Sequence, residues 1–276
     1  MDSNKKIKIE KAYENIDFIN SCDARVIRIL SELLEPMQRF NKYKVTDTIV
    51  FFGSARTKSP LEADRSLKEI EEKIQKGGKQ NKKNLQKQLE CAKKQVYLAR
   101  YYQDGYELAK RLTTWSKSLN SHSRFIVCSG GGMGMMEAAN KGATEAEGKS
   151  IGLNISIPTE QYPNQYITPG LNLEFHYFFM RKFWFVYLAK GLVILPGGFG
   201  TMDELFEVLT LLQTKKIKKP IPIVIYGSEY WNQIINFDVL AEFGTISKSD
   251  LKLFKFCNTV DEAFSYLTEK LTRLYL

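Results

Sequence analysis

The sequence predicts an α/β fold in which a parallel sheet is covered by helices on both faces. Short apolar segments rich in β-branched residues alternate with helical segments of ten residues or more along most of the 276 residues. Three of these apolar segments run directly into glycine turns, as buried parallel strands do before a helix. Because 43% of the residues are hydrophobic, the chain can bury a large core, and disorder or a fibrous repeat is excluded.

Residues 1–44 are predicted to form a helical extension ahead of the sheet. Apolar residues recur at helical intervals between residues 10 and 40, and Pro36 is expected to end this helix. The polar N-terminus lacks the apolar segment of a secretory signal, and no apolar segment reaches the ~18 residues that span a bilayer. We therefore expect a soluble, cytoplasmic protein without a membrane partner.

Residues 45–276 are predicted to form one domain with a lysine-rich helical insert at about residues 61–98. Gly77 and Gly78 divide this insert into two helical arms. The alternation that follows implies right-handed crossovers and a parallel sheet, with residues 158–177 as a loop. The predicted strands are 48–52, 124–128, 150–157, 192–195 and 221–226, and the later helices are 97–119, 133–147, 178–190, 201–212, 230–241 and 261–275.

The net charge of +9 is concentrated in two short segments. Residues 68–94 carry nine lysines against four glutamates, and residues 215–219 carry four lysines. A groove for a nucleic-acid backbone also needs interleaved aromatic side chains, which residues 68–94 lack. Solvated faces are the favoured interpretation and no nucleic-acid partner is expected, while an RNA-associated role for the insert stays open as a weaker hypothesis.

The cysteines and histidines do not indicate a metal site. The four cysteines lie far apart without a CxxC pair, and His122 and His176 are too distant in sequence to suggest a zinc pair. We expect reduced thiols and no metal.

Three glycine turns are expected at the carboxyl ends of predicted strands, all on one edge of the sheet. Helix N-termini at that edge present unpaired N–H groups and the positive end of the helix dipole. One such turn is weak evidence, but three together predict a ligand that carries a phosphate. The residues proposed to bind it are Gly53, Ser54, Gly131, Gly132, Met133, Gly134, Gly197, Gly198, Phe199, Gly200 and Thr201.

The glycine turns lack the features of two common nucleotide sites. Residues 130–143 depart from GxGxxG, and the next predicted strand carries no acidic residue to hold a dinucleotide ribose. None of the turns ends in the GK[ST] of an ATP-hydrolysing phosphate loop. We therefore expect no nicotinamide cofactor.

Charged residues beside the third turn indicate that this phosphate site could also catalyse a reaction. Thr201 is expected to cap the following helix, with Asp203 and Glu204 in its first turn, where carboxylates complement the helix dipole. Capping alone would explain both acids. Arg181 and Lys182, expected on the same edge, put cations beside the carboxylates, as suits an anionic substrate with a bond to be broken near its phosphate.

Four segments of the chain resemble the LOG (Lonely Guy) family, long labelled possible lysine decarboxylases. They are GSAR, GGGMGMMEAANKGA, IPTEQYPNQYITP and FHYFFMRKFWF...LPGGFGTMDELFEVLTLLQT, within a resemblance that covers residues 45–270 and is closest to the longer bacterial members. It implies a Rossmann-like fold and a homodimer or larger assembly. It also implies hydrolysis of the N-glycosidic bond of AMP or N6-modified AMP (cytokinin ribotides), giving free base and ribose 5-phosphate.

The resemblance also implies roles for individual residues. The family's catalytic arginine and glutamate fall on Arg181 and Glu204, the neighbouring lysine falls on Lys182, and the turn at residues 197–201 takes the phosphate. Asp203 completes the expected substrate-binding set.

Two departures from the short plant-type members bear on the substrate. Residues 178–180 are Phe-Phe-Met where those members have Met-His-x before the arginine, and Gln165 replaces an acidic residue that contacts substrate. These departures favour plain AMP.

The implied chemistry suits the residue types. A carboxylate near the ribose stabilises an oxocarbenium-like state and activates water, which fits Glu204. Arg181 either orients the substrate or stabilises the departing base, and both roles stay open. A decarboxylase using pyridoxal phosphate is disfavoured, because Lys182 beside Arg181 suits an anion clamp. The alternative to an N-glycosidase is a non-catalytic nucleotide-binding or carrier protein of the same fold.

Overall fold

The computed structural model describes residues 9–76, 82–119, 124–158 and 162–276. Its core is a seven-stranded sheet of order β4-β3-β2-β1-β5-β6-β7, in which every neighbouring pair is parallel. The predicted α/β fold is therefore confirmed. The strands are β1 (Thr48–Phe52), β2 (Ile126–Ser129), β3 (Ser150–Ile155), β4 (Asn172–Phe175), β5 (Ala189–Ile194), β6 (Ile223–Tyr226) and β7 (Phe254–Cys257).

Helices cover both faces of the sheet because successive strand residues point to opposite sides. Val50 and Phe52 of β1 enter one apolar core, which α2, α6 and α7 cover, whereas Ile49 and Phe51 enter a second core under α4, α5 and α10. The helices are α1 (Ile16–Asn20), α2 (Arg25–Lys42), α3 (Pro60–Gln75), α4 (Lys82–Ser118), α5 (Met135–Glu145), α6 (Phe178–Tyr187), α7 (Phe199–Gln213), α8 (Ser228–Trp231), α9 (Phe237–Glu242) and α10 (Val260–Tyr275).

The direction of strand succession reverses between β1 and β5. In a doubly wound sheet, the ligand crevice lies outside the carboxyl ends of the strands at such a point. The loops after β1 and β5 flank this crevice, and the N–H of Ser54 joins them by donating to the carbonyl of Pro196 at 3.0 Å. Strand order alone therefore places two of the three glycine turns side by side.

The prediction that Pro36 ends the N-terminal helix is wrong, because α2 continues to Lys42 with Pro36 buried inside it. A proline in a helix leaves the carbonyl four residues earlier without its usual N–H partner. Here that carbonyl belongs to Glu32, and the indole N–H of Trp184 in α6 donates to it at 2.9 Å. A tertiary hydrogen bond thus supplies what the local sequence lacks.

The lysine-rich insert consists of α3 and the first part of α4. Helix α4 runs through residue 98 without a break, so the second arm continues directly into the helix that covers the sheet. Gly77 and Gly78, the predicted junction of the arms, lie outside the described residues, as do His122 and the first eight residues of the polar N-terminus.

Two strands, β4 and β7, were absent from the prediction. Both are edge strands of four residues, and each carries a charged residue, Glu174 or Lys255, so neither has the continuous apolar run of an inner strand. The prediction of one helix at residues 230–241 is also wrong, because this segment contains two helices, α8 and α9. The side chain of Asn236 caps the N-terminus of α9.

Each helix within residues 9–76, 82–119, 124–158 and 162–276 is too short or too polar to cross a membrane.

Candidate active site

A cleft of about 640 Å³ opens at the carboxyl ends of β1 and β5. Residues of α6 and α7 line it, together with residues of the loops after β1 and β2. This volume falls in the ~300–1,000 Å³ range of small-molecule sites. The residues proposed from the sequence that line it are Gly53, Ser54, Arg181, Gly198, Phe199, Gly200, Thr201, Asp203 and Glu204.

Helix α7 begins earlier than the sequence suggests. Gly198 is its N-cap residue, and the N–H of Met202 donates to the Gly198 carbonyl at 3.0 Å. The prediction that Thr201 caps the helix is therefore wrong, and Asp203 and Glu204 lie beyond the first turn, where they do not cap it.

The N-terminus of α7 carries no side-chain cap among the described residues. The first N–H groups of a helix have no acceptor within the helix, and here these residues line the cleft. A Cβ atom built on Gly198 or Gly200 would meet nothing within 4 Å, and neither residue adopts a positive φ. Packing and backbone strain thus do not require glycine at either position, whereas close approach of a ligand would.

Glu204 is the most buried acidic side chain of the cleft, with 6% of its surface exposed. Its Oε2 atom is buried without a hydrogen-bond partner in the described part of the chain. Burial raises the pKa of Glu204 to about 7, and the nearby charges of Arg181 and Lys182 only partly oppose this effect. A carboxyl group with this pKa can exchange a proton near neutral pH.

Arg181 is held by strand β3 and by the loop after β2. Its Nε donates to the carbonyl of Leu153 at 2.8 Å, and one terminal nitrogen lies against Gly130, where a Cβ atom would come within 2.6 Å of it. Burial lowers the pKa of Arg181, against the attraction of Glu204, but a guanidinium stays charged at neutral pH.

Arg181 and Glu204 therefore line the same cleft, close enough to influence each other's pKa. They form no direct ion pair with one another. A partly buried guanidinium and a buried carboxyl group that are not ion-paired with each other can both contact a ligand between them.

Lys182 lies outside the cleft lining and is already paired. Its Nζ atom lies 2.8 Å from Asp203 Oδ1 and 3.0 Å from Glu207 Oε2. Burial would lower the pKa of Lys182, but these carboxylates outweigh that effect and raise it. Lys182 thus links α6 to α7 and holds the two sides of the cleft together.

Five further residues proposed from the sequence also lie outside the cleft lining. Gly131 adopts φ +76° and packs against Asn154, and Gly134 adopts φ +68° against the carbonyl of Ser54. Gly197 packs against the side chain of Thr201. The five are Gly131, Gly132, Met133, Gly134 and Gly197, of which Met133 and Gly134 line a different, smaller cleft.

The structure adds lining residues that the sequence analysis did not select. Arg56 and Gly130 stand in the quoted GSAR and GGGMG segments, so the motifs carried a signal for them. Six apolar lining residues were also not selected; four of them stand in the quoted segments, whereas Phe52 and Ile155 had no such signal because they resemble ordinary core residues in sequence. The six are Phe52, Met136, Ile155, Ile157, Phe178 and Met202.

Within the described residues, no group of three or more His, Cys, Asp or Glu side chains is placed to hold a metal ion. Pyridoxal phosphate does not fit the cleft either. A Schiff-base lysine needs a free amine with a lowered pKa, whereas Lys182 is ion-paired with a raised pKa, and the described lining contains no lysine.

A family model described as "Possible lysine decarboxylase" matches residues 136–267. A probable cytokinin riboside 5′-monophosphate phosphoribohydrolase of Oryza sativa subsp. japonica is 31% identical over 81 residues, which cover 29% of this chain and 35% of that protein. Another from the same species is 27% identical over 182 residues, which cover 65% of this chain and 81% of that protein. The chain therefore spans about a third of the first relative and most of the second.

Among solved structures, the Moco carrier protein from Chlamydomonas reinhardtii is similar at 18% identity, with a TM-score of 0.46. The similarity covers 83% of this chain and 99% of that protein.

Proposed function

We propose that the chain, which is similar to the LOG family, hydrolyses the N-glycosidic bond of a purine nucleoside 5′-monophosphate, with AMP as the preferred substrate. The observation that carries this proposal is the presence in one cleft of partly buried Arg181 and buried Glu204, which form no ion pair with each other, beside the uncapped N-terminus of α7. The products are the free base and ribose 5-phosphate.

The N-terminus of α7 is proposed to hold the 5′-phosphate. Its first N–H groups and the positive end of its dipole attract a phosphate, and the open space at Gly198 and Gly200 lets phosphate oxygens approach the backbone. Thr201 adds a hydroxyl group in the same turn. Binding at this point would fix the ribose deeper in the cleft, so that binding energy is used for positioning.

Glu204 is proposed to act on the sugar. As the bond between C1′ and the base nitrogen breaks, positive charge develops on the ribose, and a carboxylate stabilises it. Glu204 then accepts a proton from the water whose oxygen forms the new bond to C1′, while the base leaves with the bonding electrons and takes up a proton from solvent. Glu204 afterwards returns its proton to solvent. Arg181 supplies a fixed positive charge for the substrate or for the departing base.

The test is incubation of the purified chain with AMP, followed by chromatographic detection of adenine and assay of ribose 5-phosphate. We expect both products from the native chain and at least ~100-fold less from Glu204→Gln. Glu242→Gln, which removes an exposed carboxylate from α9, is the matched control and should stay active. AMP binding without release of adenine would favour the non-catalytic carrier hypothesis. If the chain neither binds AMP nor releases adenine, both the hydrolase and the carrier hypothesis are overturned.

A second copy of the chain is proposed to cover the outer face of α6. Phe179, Phe183 and Tyr187 lie four residues apart along this helix and are 40–53% exposed. Residues four apart share one helix face, so the three rings form an apolar stripe next to the active-site cleft. Such exposed patches mark association surfaces, and a homodimer would bury this one.

A further inference from the structure

A second cleft, of about 360 Å³, adjoins the candidate active site. Ala55 and Arg56 line both clefts, so the loop after β1 forms a wall between them. Helix α5 contributes a residue to both clefts, but α3 lines only the second cleft, whereas α6 and α7 line only the active-site cleft. The proposed hydrolysis uses only the latter.

Basic side chains outnumber acidic ones in the second cleft. Arg56, Lys58 and Arg65 line it together with two acids, Glu62 and Glu137. In the described part of the chain, the guanidinium groups of Arg56 and Arg65 make no hydrogen bond or ion pair. Lys58 donates to the hydroxyl of Ser66 at 2.6 Å. Two of the three cations are therefore available to a ligand.

The two acids are engaged elsewhere. Glu62 Oε2 accepts hydrogen bonds from the backbone N–H of Ser59 at 3.0 Å and from its hydroxyl at 2.7 Å, which lowers the pKa of Glu62. Glu137 is hydrogen-bonded to the side chain of Tyr102, and burial raises its pKa. Neither carboxyl group therefore neutralises the unpaired arginines by direct contact.

Two further groups point to an anionic ligand. Thr57 lines the second cleft, is 5% exposed, and has a buried hydroxyl without a hydrogen-bond partner among the described residues. Helix α5 starts beside the cleft after Gly134 without a side-chain cap in the described structure; the N–H of Met135 donates to the carbonyl of Ser54 at 3.0 Å, which leaves the N–H groups of Met136 and Glu137 for a ligand. A buried hydroxyl and free N–H groups are both satisfied by phosphoryl oxygens.

We propose that the second cleft binds a phosphoryl group distinct from the one held at the N-terminus of α7. Arg56 and Arg65 would pair with its charge, and Thr57 would donate a hydrogen bond to it. The group belongs either to a separate phosphorylated molecule or to a further phosphate of the nucleotide in the active-site cleft. The proposal rests on the proposed function only in assigning the first phosphate to α7.

The test is a 31P NMR titration of the full chain with inorganic phosphate. The Glu204→Gln variant is first saturated with AMP, so that the active-site cleft is filled without turnover. We expect one further phosphate to bind, and we expect Arg65→Gln to weaken it about tenfold, as for loss of a charge-assisted hydrogen bond. The control is Lys73→Gln, which removes a positive charge from the last turn of α3, the helix that also carries Arg65. This variant should leave phosphate binding unchanged.

Titration with ADP in place of AMP distinguishes the two sources. If the second phosphoryl group belongs to the same nucleotide, ADP should bind more tightly than AMP, Arg65→Gln should abolish the gain, and bound ADP should exclude inorganic phosphate. If it belongs to a separate molecule, phosphate should bind equally well beside AMP and ADP. Either result supports the proposal.

Failure of this proposal can be separated from failure of the proposed function. Absence of phosphate binding beside AMP, with no gain for ADP, would overturn the second site even if AMP is hydrolysed. Phosphate binding that Arg65→Gln leaves unchanged would also overturn it. If AMP neither binds nor reacts, phosphate binding that depends on Arg65 would still support the second site.

Discussion

Glu204 occupies an environment that favours its uncharged form, and its proposed role requires the charged form. Burial without a hydrogen-bond partner for Oε2 raises its pKa to about 7. The proposed reaction should therefore depend on pH in the neutral range.

The rate constant kcat/KM for AMP should rise about tenfold per pH unit below pH 7 and level off above it, because the carboxylate form increases in that window. Glu204→Gln should remove this dependence together with most of the activity. A profile that stays flat between pH 5 and 8 in the native chain would show that ionisation of Glu204 does not limit the reaction.

The burial of Glu204 also destabilises the folded protein at any pH above the pKa that this residue has in the unfolded chain. Its folded pKa of about 7 exceeds the ordinary value of 4.5, so the folded state binds the proton more tightly and loses stability as the pH rises between these values. Glu204→Gln should therefore raise the free energy of unfolding at pH 8 by ~1–3 kcal/mol, and the gain should shrink towards pH 5. Urea denaturation at the two pH values measures this, and an equal effect at both would contradict it.

Gly130 is proposed to position Arg181. A Cβ atom there would come within 2.6 Å of a guanidinium nitrogen and 2.5 Å of the sulfur of Met136, both ends of flexible side chains. Gly130→Ala should therefore displace Arg181 at little cost in stability and lower kcat for AMP by ~10-fold or more. In Gly191→Ala, the control, the new Cβ atom meets only ordinary contacts of 3.6 Å or more. Equal activity of the two variants would remove Gly130 from this role.

At the scale of elements, α2 and α6 depend on each other through Trp184 and Pro36. Because Pro36 has no N–H, the Glu32 carbonyl relies on the Trp184 indole. Trp184→Phe should cost ~1–3 kcal/mol of stability, the penalty for an unsatisfied buried acceptor. The loss should be smaller in a Pro36→Ala background, where residue 36 donates to the same carbonyl. Urea denaturation of the four variants measures the coupling, and an equal cost in both backgrounds would contradict this account.

The outer face of α6 gives a second prediction at this scale. Phe183→Glu should convert a dimer to a monomer, since a charge would be buried against the partner. Sedimentation equilibrium measures the mass. Phe243→Glu is the control, because Phe243 is 82% exposed beyond the end of α9, away from the stripe on α6. A native chain that is already monomeric would refute the proposed homodimer.

The sequence predicts the inner elements of this fold better than its edges. Apolar strands such as β1 and β5 are evident because parallel strands covered on both faces contain few polar residues. Strands β4 and β7 escape prediction because each is short and lies at an edge, where one side has no partner strand. The helix end predicted at Pro36 is wrong because the hydrogen bond that replaces the missing proline N–H comes from a tryptophan about 150 residues away in the chain. Local sequence patterns do not include such a distant contact.

At the scale of the whole molecule, the order of the strands determines where chemistry is possible. The reversal between β1 and β5 brings the loops after these strands together, and α6 and α7 then carry Arg181 and Glu204 to the same cleft. The motifs indicated the edge of the sheet where this cleft opens, and the family resemblance is confirmed. The pairing of Lys182 with Asp203 and Glu207 was not predictable, because it depends on how α6 packs beside α7.

The most direct measurement of the central claim is a crystal structure of Glu204→Gln with AMP. We predict that the phosphate contacts the N–H groups of residues 199–201 and that the bond between C1′ and the base lies between residue 204 and Arg181. A phosphate bound elsewhere, or a C1′ atom out of reach of residue 204, would contradict the proposed mechanism.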